Sequence, residues 1–208
     1  MTTTVALDEI EILRQAFLRG AGIAPDAPGL SLTPETMELM GKLVAGSLQG
    51  TIDLLALRSL VKQEVKADVT MVVVRNNNPL KFFPDSQTVL TQMLRKKMPG
   101  FMEPMEAIDD AQRDLNGHIK GVMAGARASL HAMMRRLSPA GMETQVPDAS
   151  GVDKLMPARR KAALWEVYKD HFRECLGDAN NPFKGVLGPD FITAYEKEVD
   201  ASHGGHHD

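Results

Sequence analysis

The chain contains the stretch Asn76-Asn77-Asn78-Pro79-Leu80-Lys81-Phe82, which Phe83-Pro84-Asp85 follows directly. Asparagine tolerates left-handed backbone geometry and can hydrogen-bond to its own backbone two residues further on. Pro79 fixes its own φ and pushes Asn78 towards an extended conformation. Three large apolar side chains in the same stretch give the turn something to bury. The stretch therefore predicts an ordered turn of one defined shape between two helix-like segments.

Long helical patterns lie on both sides of this turn. Thr33-Pro34-Glu35 has the features of a helix start, with a hydroxyl cap, a proline in the first turn and an acid that suits the helix dipole. An apolar stripe predicts a helix from there to about Lys66, and a second long helix is predicted from about Pro104 to Leu137. Shorter helices are predicted over residues 7–19, 85–97, 157–176 and 189–199. The fold class is a mainly α-helical, bundle-like domain built around two long helices and the Asn/Pro-rich turn.

One segment fits this pattern poorly. Val69 to Val74 is rich in β-branched residues and could form a strand, although the chain offers no clear second strand to pair with it. A helix end or an extended segment packed on helices is the other interpretation. Residues 1–200 are expected to form a single helical domain, and residues 201–208 a disordered tail.

Composition excludes several classes of protein. The 208 residues carry a net charge of −3, whereas a dedicated nucleic-acid binder has a strong basic excess. Cys175 is the single cysteine, so no intramolecular disulfide can form. No apolar run approaches the roughly 20 residues that span a bilayer, and the N-terminus does not resemble a secretory signal. We therefore expect a cytoplasmic protein without direct membrane insertion.

Recognisable catalytic patterns are absent from the sequence. It contains no phosphate-binding GxxxxGK[ST], no GxGxxG after a strand and no GxSxG elbow. His118 and His131 have no set of partners at metal-ligand spacing, and Asp110 and Asp114 before them are typical of a helix-surface pair. We expect no catalytic residue, no metal and no cofactor.

Small residues recur every fourth position on the second long helix, at Gly117, Gly121, Gly125 and Ser129. Because glycine destabilises a helix by about 1 kcal/mol relative to alanine, such a row suggests a close backbone approach. The pattern favours tight packing within the chain, with Gly46 and Gly50 as a matching surface. A self-association face, and hence a homo-oligomer, is the alternative.

Two features mark the helix predicted over residues 157–176. Arg159-Arg160-Lys161 lies at its start, where positive charge is unfavourable to the helix dipole, so these residues are candidates for binding an acidic partner. Trp165, Tyr168 and Phe172 fall on one helix face. That aromatic face is predicted to be core, and it would be a protein-binding hot spot if it were exposed.

Further stretches accompany the Asn-rich turn in a fixed order: Ala16–Gly22, Asp114–His118, Leu137–Pro139, Ala158–Lys161, Leu164–Tyr168 and Gly188–Glu196. Together they resemble the C-terminal domain of the type VI secretion FHA-domain proteins (the TagH/Fha family), over about Ile12 to Lys197. The turn itself is similar to that family's NNPLKF-S-P signature.

The resemblance implies a bacterial, non-catalytic scaffold or adaptor domain that acts in assembly or regulation of the type VI secretion system through protein–protein contacts. It implies partners among the subunits of the secretion baseplate or membrane complex, which would bring the chain to the inner-membrane face. No nucleic acid is expected among them. The candidate partner-binding residues are those of the turn and of the basic cluster: Asn77, Asn78, Pro79, Leu80, Lys81, Phe82, Arg159, Arg160 and Lys161.

Family members typically also carry an N-terminal FHA domain that reads phosphothreonine. The short, regularly spaced strands of that β-sandwich are missing here, so phosphothreonine reading is not expected of this chain. The alternative is an enzyme or small-ligand-binding protein with its site around the Asn76–Phe82 turn. Asn77, Asn78 and Lys81 would then bind a polar ligand, with His118 as acid or base. A deep pocket uniting these residues would favour that alternative, and asparagines bonded to backbone on a flat surface would favour the scaffold.

Overall fold

The computed structural model describes residues 2–26, 31–64, 76–95, 98–145, 157–180 and 188–204. Within those ranges lie eight helices: α1 Thr2–Ala21, α2 Pro34–Glu64, α3 Pro79–Phe82, α4 Ser86–Leu94, α5 Pro104–Arg136, α6 Pro139–Glu143, α7 Pro157–Ala179 and α8 Pro189–Gly204. The same ranges contain no strand, and their one isolated β-bridge joins Asn77 to Phe101. The mainly α-helical prediction, with two long helices, is confirmed. Val69 to Val74 falls outside the described residues.

The chain divides into two compact units, Met1–Gly50 and Thr51–Asp208, and α2 contributes residues to both. In the first unit Leu18 is fully buried and Leu48 nearly so. A single helical domain over residues 1–200 stays a prediction.

Local signals set the helix boundaries. Thr33 Oγ1 accepts a hydrogen bond from the backbone N–H of Thr36 at 3.2 Å, at the start of α2. Asp85 Oδ1 accepts one from the N–H of Thr88 at 2.8 Å, and α4 follows. Such caps satisfy backbone donors that have no partner inside the helix. The predicted starts of both helices are therefore correct.

The core of the second unit forms where α5 crosses α8. A Cβ atom on Gly121 would lie 2.8 Å from the ring of Tyr195, and one on Gly125 would lie 2.6 Å from the ring of Phe191. Both rings are almost completely buried. The predicted packing within the chain is confirmed, but the predicted matching surface, Gly46 and Gly50, is wrong. The aromatic rings of α8 fill the space instead, because their large area compensates for the glycines' cost in helix stability.

The end of the chain also differs from the prediction. α8 continues through Gly204, so the disorder predicted from residue 201 is wrong for the first four residues of the tail. Ser202 lies against the first glycine of the row, since a Cβ atom on Gly117 would be 3.1 Å from Ser202 Cβ. This packing against α5 gives the last turn of α8 a tertiary contact that composition alone does not reveal. Residues 205–208 lie outside the described residues.

The aromatic face of α7 is not core. Trp165 is 59% exposed and Phe172 is 48% exposed, so the core prediction is wrong. The rings stack on one another instead, with centroids 5.5 Å apart for Trp165 and Tyr168 and 6.3 Å for Tyr168 and Phe172. Among the α7 residues whose burial is described, Cys175 is the buried one, and it lies on a neighbouring face of the helix. Periodicity located the aromatic stripe, but it could not show which stripe the helix buries.

Candidate functional site

The Asn-rich turn folds into the short helix α3, which Asn78 caps. Asn78 has an extended backbone, with φ −79° and ψ 118°, and its Oδ1 accepts a hydrogen bond from the N–H of Leu80 at 2.9 Å. Pro79 occupies the first helical position, where its missing N–H has no cost. Asn76 adopts a left-handed φ of 63°, which asparagine tolerates better than most residues. These features confirm the ordered turn that the sequence predicted.

The same asparagine fastens the turn to α5. Asn78 Nδ2 donates to the carbonyl oxygen of Ala107 at 2.7 Å and to Oδ2 of Asp110 at 2.8 Å. Asn76 Nδ2 donates to Oε1 of Glu106 at 2.9 Å. Because Asn78 is buried, its loss would leave polar groups of α5 without these partners.

A bridge to the segment before α5 holds the other side of the turn. The backbone N–H of Asn77 donates to the carbonyl of Gly100 at 2.8 Å, and the N–H of Met102 donates to the carbonyl of Asn77 at 3.0 Å. Asn77 Nδ2 donates a longer bond, 3.3 Å, to the same Gly100 carbonyl. The side-chain amide of each of the three asparagines therefore donates a hydrogen bond within the chain.

A charged network lies beneath the turn and joins three helices. Lys81 Nζ of α3 lies 2.7 Å from Asp110 Oδ2 and 2.5 Å from Asp114 Oδ2, both on α5. Arg58 Nη2 of α2 lies 3.2 Å from the other oxygen of Asp114. The side chains of Arg58 and Asp114 are only 6% and 5% exposed. Two cations thus balance two carboxylates, and a buried charge is tolerated only when such pairing compensates for its desolvation.

Arg58 depends strongly on this pairing. Its Nε atom is buried and has no hydrogen-bond partner in the described part of the chain. The ion pair with Asp114 through Nη2 is the contact that compensates for burying the guanidinium charge.

Sequence reasoning missed this network. It took Asp110 and Asp114 for a surface pair and did not single out Arg58. A signal was available, because Asp114 follows Ala107 and Ala111 and precedes Gly121 at helical spacing, on the face of α5 that the structure buries. A carboxylate within such a row of small residues indicates a buried ion pair, although the position of the cation cannot be read from it.

A cleft of about 510 Å³ opens beside the turn. Phe82, Phe83 and Met102 line it together with Leu55 of α2, and the asparagines form part of its polar wall. The Phe82 ring meets those of Phe83 and Phe101 edge to face, at centroid distances of 5.1 and 5.3 Å. Phe82 nevertheless stays 53% exposed. The site is thus a largely apolar cleft with aromatic rings at its edge. The turn that forms one wall is held in place by hydrogen bonds and ion pairs to α5.

Not every predicted site residue comes to this cleft. Five of the nine residues proposed to bind a partner line it, namely Asn77, Asn78, Leu80, Lys81 and Phe82. Pro79 is fully buried in the turn. The basic cluster lies in the first turns of α7 and does not line the cleft; Arg159 and Lys161 are exposed and Arg160 is half-buried.

The residues of the enzyme alternative are only partly brought together. Asn77, Asn78 and Lys81 line the cleft, but His118 does not. His118 Nδ1 lies 3.0 Å from the hydroxyl of Tyr195, in the packing of α5 against α8. Burial lowers the pKa of His118 below its usual value, and the positive charges of Arg58 and Lys62 lower it further. The structure therefore meets one part of each criterion: a cleft exists, as the enzyme alternative requires, and the side chains of Asn77 and Asn78 bond to backbone, as the scaffold requires.

Among the described residues, no three His, Cys, Asp or Glu side chains are grouped so that they could hold a metal ion. None of the described helices combines the length and the apolar character that crossing a membrane requires.

Comparison with known proteins identifies the family. A protein-family model described as the C-terminal domain of the type VI secretion system FHA protein matches residues 19–198, a range that includes the turn, the charged network and the cleft. No curated protein and no solved structure matches the chain. The chain therefore belongs to the family of C-terminal domains of type VI secretion system FHA proteins.

Proposed function

We propose that this chain is a non-catalytic adaptor domain of the type VI secretion system, and that it binds a protein partner at the cleft beside the Asn-rich turn. One observation carries the proposal. Each of the three asparagine side chains donates a hydrogen bond within the chain, whereas Phe82 stays 53% exposed beside an apolar cleft. Exposed aromatic side chains on a rigid support are typical of the anchor positions of protein interfaces.

The surroundings of Lys81 and His118 support a non-catalytic function. Lys81 Nζ contacts two carboxylates, so two of its three donors are engaged in the network. His118 pairs with a tyrosine hydroxyl outside the cleft. A general base must come within hydrogen-bond reach of its substrate, and this histidine does not line the cavity in which a substrate would bind.

The partners that we propose are protein subunits of the secretion baseplate or membrane complex, contacted at the cytoplasmic face of the inner membrane. Arg159 and Lys161 provide a second, electrostatic contact for an acidic surface, since both are exposed at the start of α7. Electrostatic contacts of this kind mainly increase the association rate, whereas an apolar anchor supplies affinity.

The test is co-purification from the host with in-cell crosslinking and mass spectrometry, comparing wild type with Phe82→Ala and Leu94→Ala. Leu94 is a matched control, because it is an exposed large apolar residue of the same unit and does not line the cleft. We expect secretion subunits to be recovered with wild type and Leu94→Ala, and to be strongly reduced with Phe82→Ala. Equal recovery of those subunits with both variants would refute the cleft as the binding site.

One observation supports a second candidate, a small-ligand-binding protein. A cavity of about 510 Å³ lies within the usual range for small-molecule sites, about 300–1,000 Å³. Native mass spectrometry of the purified chain tests this directly. A bound small molecule that is lost in Phe82→Ala would support it, and a spectrum of the unliganded mass alone would count against it.

A further inference from the structure

Helix α2 carries a second apolar face, opposite the one that it buries. Its buried positions include Leu48, Ile52 and Leu55. On the other side, residues three or four apart form what we call the outer face of α2: Leu39, Leu43, Gly46, Gly50, Leu54 and Leu57. The four leucines of the outer face are 53 to 61% exposed. A helix that is apolar on both sides is normally covered on both sides.

The two glycines of the outer face suggest what covers it. No described atom lies within 4 Å of the Cβ position of Gly46 or Gly50. In α5 the same four-residue spacing, at Gly121 and Gly125, admits the rings of α8. Glycine weakens a helix interior, and at Gly46 and Gly50 nothing in the described chain compensates for that cost. Among the described residues, no helix therefore fills the space over Gly46 and Gly50, although the spacing would admit one.

The order of the outer-face residues identifies that helix. Read from either end, the face runs leucine, leucine, glycine, glycine, leucine, leucine. We propose that a second copy of this chain packs its own α2 antiparallel against the outer face, in a two-fold symmetric pair. Leu39 of each copy then lies against Leu57 of the other, and Gly46 lies against Gly50. Such self-complementarity is what a two-fold interface requires.

Charges beside the outer face specify the antiparallel direction. Lys42 and Asp53 lie on the same flank of α2, on opposite sides of the glycines. In an antiparallel pair, Lys42 of one copy comes beside Asp53 of the other. In a parallel pair, each residue lies at the same height as the equivalent residue of the other copy, so no such opposite-charge pair forms. Both side chains also have interactions within the chain, and that of Lys42 is an ion pair with Glu38. Opposite charges across the interface fix orientation more than affinity.

The interface is small, and it does not involve the cleft. Six positions per copy are far fewer than the roughly 20–30 residues a side of a standard interface, so the dimer should be weak and depend on protein concentration. None of the six residues lines the cleft. Dimer formation can therefore be tested without the secretion partner.

Sedimentation velocity over a concentration series measures the mass of the full chain. Wild type should shift with concentration from 22.7 kDa towards twice that mass. Gly46→Gln with Gly50→Gln should stay at 22.7 kDa while keeping its helicity, because glutamine is a good helix former that blocks close approach. Gly41→Gln is the matched control, since Gly41 has equally open surroundings on α2 but lies off the outer face. A wild type that stays monomeric at every concentration, or a double variant that dimerises like wild type, would overturn the proposal.

Disulfide trapping then tests the direction in a Cys175→Ala background. A mixture of Leu39→Cys and Leu57→Cys chains should form a crosslinked heterodimer on oxidation, whereas either chain alone should not. Positions 39 and 57 lie about 27 Å apart along the helix. In an antiparallel pair, the cysteines at position 39 of the two copies are therefore too far apart to form a disulfide. Crosslinking of Leu39→Cys with itself, or no crosslinking in the mixture, would overturn the antiparallel arrangement.

Discussion

Replacing Asp114 by asparagine is expected to remove about 3–5 kcal/mol from the free energy of unfolding. The variant keeps the shape of the side chain and removes its charge. Arg58, which is buried and has an unpaired Nε, then loses the carboxylate 3.2 Å from its Nη2. Lys81 loses one of its two carboxylates but keeps Asp110 at 2.7 Å. Most of the predicted loss therefore comes from the uncompensated guanidinium.

Chemical denaturation followed by circular dichroism measures this loss. With a urea m-value of about 2 kcal/mol/M, the expected loss moves the unfolding midpoint down by about 1.5–2.5 M. Asp109→Asn is the matched control, because it is the same substitution at an exposed position of α5. It should change the free energy of unfolding by no more than about 0.5 kcal/mol.

A double variant separates charge from packing. Arg58→Met with Asp114→Leu replaces the buried pair by apolar side chains, and such replacements are often neutral or stabilising. We expect it to recover most of the stability that Asp114→Asn loses. If Asp114→Asn moves the midpoint no more than Asp109→Asn does, the reasoning is wrong and the network does not hold the three helices together.

Three further predictions concern other parts of the chain. Gly125→Ala should destabilise the fold by about 1–3 kcal/mol, because its Cβ would overlap a buried ring of α8, whereas Gly177→Ala, in open surroundings, should not; thermal unfolding compares them. Because the pKa of His118 is lowered in the folded state, the unfolded state binds a proton more readily, so the free energy of unfolding should be highest above pH 6.5, the usual histidine pKa, and fall at lower pH. The denaturant midpoint should depend less on pH in His118→Phe than in wild type. Arg159→Glu with Lys161→Glu should leave helicity at 222 nm unchanged, since acids suit a helix start, while recovery of secretion partners falls.

The Asn-rich turn is the part of the site that the sequence predicted best. Asn78 and Pro79 specify a capped helix start through their own chemistry, so the sequence predicted an ordered turn and the structure confirms it. Phe82 was predicted to bind a partner, and its place beside the cleft is consistent with that hypothesis. The cleft itself was not predictable, because its walls come from α2, α3 and the segment before α5.

The sequence by itself determined the helical class, the starts of the long helices and membership of the family. Those features rest on caps, periodicity and motif order, which act over a few neighbouring residues. Only the tertiary structure decided that Arg58 pairs with Asp114, that α8 fills the glycine row of α5, and that α7 exposes Trp165. Each of these depends on which helix faces lie together. Helical periodicity gives the direction in which a side chain points from the helix axis. Which helix lies against that side chain is decided by the packing of the whole unit.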